Sequence, residues 1–332
     1  MKKICIVFAA GLLLAAMAWA EPDVYIAGSE TNAAGILVAC YWKNGVKTPM
    51  PAGNYHSHAE AIAVSENDVY LAGYENIGPS DTSSAACYWK NGVKTALTSG
   101  RAEAWASGIA VSGNDVYAVG FENNAAGVPV ALLWKNGVRI ALTDGKNESN
   151  AYTIALSGNN VYVMGHEDNV ACYWKNGSKI LVENAKYTLA AAAFAVGRDV
   201  YIAGVERSTG KAGACYWKNG VKTVLTDGKF MSVARAITVS GNNVYVAGYA
   251  RTAAGDIVCY WKNGVQAAVT DGSVYTVIKA IAAWGNNVYM AGDEQDAAYN
   301  NHAYYWKNGV KTALADGRNS SNARAIVLVD AK

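Results

Sequence analysis

The chain has 332 residues and carries 28 Lys and Arg residues against 26 Asp and Glu residues. Lys2 and Lys3 account for the whole positive surplus, so the rest of the chain is neutral, and a nucleic-acid partner is not expected without clustered basic residues. Five prolines and an aromatic content of 11% argue against a disordered chain.

Residues 1–20 have the features of a secretory signal peptide. Lys2 and Lys3 form a basic start, an apolar stretch runs from Ile4 to Met17, and Ala18-Trp19-Ala20 offers small residues for cleavage. The apolar stretch is too short for a membrane span. We therefore expect residues 21–332 to be one domain without a membrane span, exported to the periplasm or the cell exterior.

Two short sequences recur along the chain with a period of about 44 residues. One is Tyr-Trp-Lys-Asn-Gly and its variants, centred on Trp42, Trp89, Trp134, Trp174, Trp217, Trp261 and Trp306. The other is Val-Tyr-x-x-Gly, which begins at Val24, Val69, Val116, Val161, Val200, Val244 and Val288. A fixed period of this length indicates a repeat architecture.

One unit reads as four short strands, A to D, which we predict at Ala151–Leu156, Val161–Gly165, Ala171–Lys175 and Ser178–Val182. Asn176-Gly177 between strands C and D is a strong hairpin signal, because both residues tolerate positive φ. Strand A is rich in alanine, which suits the crowded centre of a ring. Strand D carries a basic residue, as an exposed outer strand commonly does.

The chain after the signal peptide begins in a B strand, Asp23–Gly28, and ends in an A strand, Ala323–Val329. Pairing these two strands completes a seventh unit and closes a circle. We therefore predict an all-β fold: a seven-bladed β-propeller of four-stranded blades, closed by pairing of the N-terminal and C-terminal strands.

The repeat resembles the HAF-type repeat of exported bacterial proteins. The resemblance lies in Cys-Tyr-Trp-Lys-Asn-Gly-Val-Lys-Thr followed by Ala-x-Ala-Ile-x-Val-Ser-Gly-Asn-x-Val-Tyr-x-x-Gly, and it covers nearly all of residues 23–329. Ala-Cys-Tyr replaces the His-Ala-Phe for which that repeat is named. The resemblance implies a propeller-like fold and a location outside the cytoplasm, and it assigns no catalytic residues.

Five cysteines occupy one repeat position, immediately before the Tyr-Trp pair, where the other two units have Leu132 and Tyr304. A position that accepts Cys, Leu or Tyr is an apolar packing position. Equivalent positions on packed sheets lie about 10 Å apart, too far for a disulfide. We predict that Cys40, Cys87, Cys172, Cys215 and Cys259 are unpaired and buried.

The B–C and D–A loops share one face of a propeller, and because they vary between units we expect the function to lie on this variable-loop face. Six D–A segments place one aromatic residue there: Tyr55, Trp105, Tyr152, Tyr187, Phe230 and Tyr275. Tyr74, Phe121 and Tyr249 extend the set. Such rings either bind sugars or peptides or pack onto neighbouring blades and seal the circle.

The residue at the channel end of strand A differs between units: Glu60, Ser107, Tyr152, Ala191, Arg235, Lys279 and Arg324. An asymmetric ligand site requires such variation. Arg235, Lys279 and Arg324 belong to successive blades and would form a cationic arc for an anionic group. The alternative is that they are solvated charges at the channel mouth.

Six carboxylates recur two residues after the B-strand glycine: Glu30, Glu75, Glu122, Glu167, Glu206 and Glu294. They would serve as cation ligands or acid–base pairs, or each would hold its own B–C loop, and the recurrence favours the second interpretation. His56 and His58 lie near Glu60 but make a weak metal site, since zinc needs three or four protein ligands. We expect no metal and no cofactor.

The leading hypothesis is a non-catalytic recognition scaffold that binds a glycan, peptide or protein on the variable-loop face. The candidate binding residues are Trp105, Tyr152, Arg235, Lys279, Arg324, Glu60, Tyr55, Tyr187, Phe230 and Tyr275. The alternative is a polysaccharide hydrolase or lyase that uses carboxylates of the channel mouth. Propellers carry out both kinds of function, so the fold does not decide between them.

Overall fold

The computed structural model describes residues 21–78, 83–186, 189–197, 199–208, 211–252 and 255–331. The predicted signal peptide, residues 1–20, and Tyr187 lie outside the described residues. Within them the chain forms seven antiparallel sheets of four strands each and no helix. The prediction of an all-β fold of four-stranded units is confirmed.

The strands are given blade by blade, from the inner strand to the outer one. Blade 1 consists of β28 (Ser321–Val329), β1 (Asp23–Thr31), β2 (Leu37–Lys43) and β3 (Val46–Pro49). Blade 2 consists of β4 (Ser57–Ser65), β5 (Asp68–Asn76), β6 (Ser84–Lys90) and β7 (Val93–Ala96). Blade 3 consists of β8 (Ala104–Ser112), β9 (Asp115–Asn123), β10 (Pro129–Lys135) and β11 (Val138–Ala141). Blade 4 consists of β12 (Ser149–Ser157), β13 (Asn160–Glu167), β14 (Val170–Lys175) and β15 (Ser178–Lys186).

The remaining blades follow the same order. Blade 5 consists of β16 (Leu189–Val196), β17 (Asp199–Ser208), β18 (Lys211–Lys218) and β19 (Val221–Val224). Blade 6 consists of β20 (Ser232–Ser240), β21 (Asn243–Thr252), β22 (Gly255–Lys262) and β23 (Val265–Ala268). Blade 7 consists of β24 (Thr276–Trp284), β25 (Asn287–Gln295), β26 (Asn301–Lys307) and β27 (Val310–Ala313). No helix in the described part of the chain has the length and apolar character needed to cross a membrane.

The inner strands close a ring. Each contacts the inner strand of the next blade, and β28 at the end of the chain contacts both β24 and β4. Strand β28 also pairs antiparallel with β1, from Asp23 opposite Val329 to Glu30 opposite Ser321. The predicted closure of the seven-bladed ring by the two terminal strands is therefore confirmed.

The tryptophan of each C strand is the largest side chain of its core. All seven are at most 1% exposed, and each packs in a cluster formed by two neighbouring blades. Truncating a buried tryptophan typically costs about 3–5 kcal/mol. The Trp therefore recurs because it seals one blade against the next, and the five cysteines beside it are buried and free, as predicted.

The Asn-Gly turn after each tryptophan does more than reverse the chain. In blade 1, Asn44 and Gly45 have φ of 51° and 83°, the left-handed pair that a two-residue hairpin needs. The Oδ1 of Asn44 accepts a hydrogen bond from the Val24 N–H at 2.8 Å, and its Nδ2 donates to Asp23 Oδ1 at 2.7 Å. The turn side chain thus fixes the start of strand B, which explains why Asn recurs there.

Candidate functional site

Every inner strand contains a β-bulge at the same place. The pairing register shifts around one residue in each blade: Arg324, Glu60, Ser107, Tyr152, Ala191, Arg235 and Lys279. These are the seven variable positions that the sequence placed at the channel end of strand A. A bulge leaves its extra residue outside the ladder and re-aims the side chain, so the position is free to vary without loss of sheet pairing.

The glycine of Val-Tyr-x-x-Gly makes room for the bulge. In blade 2, a Cβ added to Gly73 would overlap the carbonyl oxygen of His58, two residues before the bulge residue Glu60. The glycine at this position in five other blades meets the equivalent carbonyl in the same way: Gly28, Gly120, Gly165, Gly248 and Gly292. The recurring glycine is therefore a condition for presenting the variable residue.

Three successive bulges place cations at one side of the channel mouth. Arg235 is exposed, whereas Lys279 and Arg324 are half-buried. Burial, and secondarily the neighbouring Arg324, lowers the pKa of Lys279. The Nε of Arg324 lies 3.9 Å from Glu60 Oε1, too far for a hydrogen bond, and it is buried with no hydrogen-bond partner among the described residues. This cationic arc is only partly neutralised by its own protein.

Asp293 lies beside the cationic arc and was missed in the sequence. Its side chain is 7% exposed, and Oδ1 accepts a hydrogen bond from the Ala323 N–H at 2.7 Å. Burial raises its pKa to about 6, although the Ala323 N–H, Lys279 and Arg324 oppose that rise. The available signal was its departure from the repeat, where other blades have Ser, Tyr, Phe, His or Val.

A cavity of about 710 Å³ opens on blades 2 to 4, beside the bulge residues Glu60, Ser107 and Tyr152. Aromatic rings of Trp105, Phe121 and Tyr152 line it, together with the carboxylates of Glu60, Glu103 and Glu148. Sequence analysis found the rings and Glu60 but missed Glu103 and Glu148. Both directly precede an inner strand, at a position where other units have His, Met, Tyr or Ser.

Part of the aromatic set forms one stacked ladder. Tyr74 stacks on His58 at 4.5 Å between ring centroids and on Trp105 at 4.7 Å, and Trp105 meets Phe121 at 5.5 Å in a tilted arrangement. The indole Nε1 of Trp105 donates to Ser84 Oγ at 3.0 Å. Trp105 therefore both seals blades 2 and 3 together and forms a fixed wall of the cavity.

Tyr152 forms a hydrogen-bonded chain on the neighbouring wall. Its hydroxyl lies 2.6 Å from His166 Nδ1, and His166 Nε2 lies 3.9 Å from Glu148 Oε1. Burial lowers the pKa of His166, although the charge of Glu148 opposes this shift, and a neutral ring with its proton on Nε2 accepts a hydrogen bond from the Tyr152 hydroxyl at Nδ1. Burial also raises the pKa of Tyr152 to about 12. Tyr152 is thus an oriented, neutral hydroxyl at the channel mouth.

The other predicted aromatic residues are more dispersed. Tyr275, 67% exposed, lines a second cavity of about 250 Å³ together with Arg235 and Tyr249. Tyr55 and Phe230 are exposed and line neither of these two cavities. The structure thus brings Trp105, Tyr152 and Glu60 around one cavity and Arg235, Lys279 and Arg324 into one arc.

The recurring carboxylates are structural. Each binds the basic residue of strand D in its own blade, with N to O distances of 2.5 to 3.0 Å: Glu30 with Lys47, Glu75 with Lys94, Glu122 with Arg139, Glu167 with Lys179, Glu206 with Lys222 and Glu294 with Lys311. Blade 6 has lost both partners together, with Ala250 and Gln266 in their places. The carboxylates hold the outer strand, whereas their expected role was to hold the B–C loop.

The two histidines near Glu60 are already engaged. His56 Nδ1 accepts a hydrogen bond from the Leu37 N–H at 2.8 Å, and His58 stacks on Tyr74. Among the described residues no group of three His, Cys, Asp or Glu side chains is placed to hold a metal ion.

Comparison with proteins of known structure identifies the class of fold. The β-propeller domain of the Trilobed protease from Pyrococcus furiosus matches with a TM-score of 0.55 and 9% identity, over 90% of this chain and 95% of that one. That domain has an open velcro topology, whereas here β1 pairs with β28. A puromycin-hydrolyzing peptidase from Mycobacterium tuberculosis matches with a TM-score of 0.51 and 10% identity, over 92% of this chain.

The chain spans about half of that mycobacterial peptidase, 53% of its length. No protein-family model and no curated protein sequence matches the chain. It is therefore a seven-bladed β-propeller whose likeness to known structures is one of fold.

These comparisons correct the functional hypothesis drawn from the sequence. The expectation of a non-catalytic recognition scaffold is contradicted, because the matching propeller from Pyrococcus furiosus is a domain of a protease and the second match is itself a peptidase. At 9 to 10% identity the likeness alone establishes only the fold. The function to which it points is taken up next as a proposal.

Proposed function

We propose a peptidase-type function, in which this propeller receives peptide substrates at its channel mouth. The observation that carries the proposal is the cationic arc of Arg235, Lys279 and Arg324, on three successive bulges. Its support from outside the chain is the likeness in fold to the propeller domain of a protease. The chain spans about half of the mycobacterial peptidase, and we assign to these blades the binding of the peptide that is to be hydrolysed.

The arc suits a peptide carboxylate. Arginine offers a planar fork of N–H donors that matches a carboxylate, and lysine adds a point charge. Within the part of the chain that the structure describes, the buried Nε of Arg324 has no hydrogen-bond partner, so a ligand oxygen that reaches it would accept its hydrogen bond. Hydrogen bonds to charged groups are worth about 1.5–3 kcal/mol each, or roughly 10- to 100-fold in affinity.

The cysteines take no part in this proposal. All five described thiols are buried, and burial raises the pKa of Cys172, Cys215 and Cys259 to about 12. The nucleophilic form of cysteine is the thiolate, which such burial suppresses. A cysteine-peptidase centre within the described blades is therefore not part of the proposed mechanism.

Titration calorimetry with short peptides tests the proposed function. We expect Phe-Ala-Ala to bind and Phe-Ala-Ala amide to bind at least about tenfold more weakly, since the amide lacks the charge. Arg235→Gln and Lys279→Gln should remove this preference, whereas Lys94→Gln, on an outer strand, should leave it unchanged. Mass spectrometry of the same mixtures reports hydrolysis. Equal binding of acid and amide, or neither binding nor hydrolysis of any peptide, would overturn the proposal.

We also propose that the chain is exported by a bacterium as a HAF-type repeat protein. The support is the basic start at Lys2 and Lys3, the apolar stretch after it and the small residues at Ala18 and Ala20. N-terminal sequencing of the protein from the periplasm or the medium should begin at Glu21. Retention of Met1, or protein found only in the cytoplasm, would refute export.

A further inference from the structure

We infer that the 710 Å³ cavity on blades 2 to 4 is a binding site for an organic cation, an ammonium group attached to an aromatic or aliphatic body. Pockets for small ligands commonly have volumes of about 300–1,000 Å³, so the space suits such a molecule. Three observations argue for a cation: two lining carboxylates, Glu103 and Glu148, without a Lys or Arg partner among the described residues; aromatic walls; and the position of the cationic arc on other blades.

The carboxylates of the cavity differ from those of the framework. Glu122, in the same blade as Glu103, has Arg139 Nε at 3.0 Å, and each of the five other framework carboxylates has an equally close basic partner. Within the described residues no Lys or Arg side chain forms an ion pair with Glu103 or Glu148; Glu103 accepts a hydrogen bond from Asn123 Nδ2 at 3.4 Å. Both stand at non-repeating positions, so the scaffold does not require their charge.

The histidine beside Glu148 does not neutralise this carboxylate. His166 lies 3.9 Å from Glu148, but burial lowers its pKa and its Nδ1 is occupied by the Tyr152 hydroxyl. Carboxylates around a concave, low-dielectric wall concentrate the electric field inside it. Of the three carboxylates that line the cavity, Glu60 faces Arg324 at 3.9 Å, whereas Glu103 and Glu148 have no Lys or Arg partner among the described residues and give the cavity its surplus of negative charge.

The aromatic lining supports the same class of ligand. Trp105, Phe121 and Tyr152 line the cavity from three positions, and a cation is attracted to the face of such rings. Trp105 is fixed by stacking on Tyr74 and by its hydrogen bond to Ser84, and Tyr152 is fixed by His166. Because these rings are held in place before binding, little conformational freedom is lost when the ligand enters.

The channel mouth is thus polarised: Glu60, Glu103 and Glu148 lie on blades 2 to 4, and Arg235, Lys279 and Arg324 lie on blades 6, 7 and 1. A ligand with an ammonium group at one end and a carboxylate at the other fits this arrangement in one orientation. If the proposed function holds, the ammonium group is the amino terminus or a lysine side chain of the peptide; that step alone rests on the proposed function.

Calorimetric titration with 2-phenylethylammonium tests the cavity by itself, because this probe has neither a carboxylate nor a peptide bond. We expect it to bind at least about tenfold more tightly than neutral 2-phenylethanol, since the alcohol lacks the charge. Glu103→Gln and Glu148→Gln should each weaken binding of the amine at least about fivefold. Glu122→Gln is the matched control, a carboxylate of the same blade that is already paired, and should leave the affinity unchanged.

Equal binding of amine and alcohol, or equal loss in all three variants, would overturn the inference. Thermal unfolding of each variant separates loss of the site from loss of the fold. Two further peptides, one acetylated at its amino terminus and one at its lysine side chain, identify which amine is bound. Binding of 2-phenylethylammonium without any peptide binding would refute the proposed function and leave the cavity assignment standing.

Discussion

As the pH rises, the Asp293→Asn variant should become more stable relative to the wild-type protein. Asp293 is buried, and burial raises its pKa from 3.8 to about 6. A raised carboxyl pKa means that the folded state holds a proton that the unfolded state has released between these two values. Ionisation of Asp293 therefore opposes folding, and stability is lost as the pH rises through the interval from about 4 to 6.

The size of the effect follows from the pKa. A shift of one pKa unit corresponds to about 1.4 kcal/mol, so the rise in the pKa of Asp293 from 3.8 to about 6 corresponds to a total of about 3 kcal/mol of unfolding free energy. Asn retains an oxygen that can accept the hydrogen bond from the Ala323 N–H. Part of this change falls below pH 4, where the unfolded carboxyl group titrates, so the difference in unfolding free energy, Asp293→Asn minus wild type, should increase by about 2 kcal/mol between pH 4 and pH 7.

Urea denaturation at pH 4, 5, 6 and 7 measures this difference, and subtraction of the wild-type curve removes the titration of the other carboxylates. Asp256→Asn is the control. Its carboxylate binds Arg251, which lowers its pKa, so its stabilising contribution is lost only in more acidic solution. Its difference curve should be nearly flat from pH 5 to 7. A flat or falling curve for Asp293→Asn would refute the assignment of a buried, protonated carboxyl group.

Three further predictions concern the scaffold. Gly73→Ala should destabilise the protein by at least about 1–3 kcal/mol in urea denaturation, because the added Cβ would overlap the His58 carbonyl. Gly53→Ala is the control and should be nearly neutral, because the space around Gly53 is open. Equal effects of the two substitutions would refute the role given to the bulge glycine. Glu75→Gln should cost less than about 1 kcal/mol, since its ion pair with Lys94 lies at the surface, and a larger loss would show that the pair is more than a surface contact. Because the described thiols are all buried, thiol reagents at pH 8 should leave the folded protein unmodified. After denaturation they should label five cysteines, or six if residues 1–20 are retained. Rapid labelling of the folded state would contradict that burial.

The seven-bladed fold could be predicted from the sequence because the same residues recur in each of the seven repeat units. Trp42 and its six counterparts, the Asn-Gly turns and the incomplete units at the two ends led directly to a closed seven-bladed propeller. The bulge could not be predicted in this way, since it is a property of the register between strands A and B. Gly73 and its counterparts were visible as recurring residues, but the carbonyl that each one faces is known only from the paired strands.

The candidate site was predicted in part for a related reason. Comparison of units drew attention to Arg235, Lys279 and Arg324 because one residue type changed at one repeat position. Asp293, Glu103 and Glu148 also depart from the repeat, but they lie at positions that showed no obvious relation to the channel. The importance of Asp293 depends on its burial, and that of Glu103 and Glu148 on the lack of a Lys or Arg ion pair among the described residues; neither property can be read from spacing.

The bulges have a consequence for how this molecule could change over evolutionary time. Each blade offers one side chain near the axis whose identity the hydrogen-bonded ladder does not constrain, and the two ends of the chain are held by the pairing of β1 with β28. Substitutions at the seven bulge positions would change the charge and width of the channel mouth without disturbing the seven blades around it. Ligand preference can therefore change by substitution at the bulge positions while the pairing of the strands and the packing of the blades stay the same.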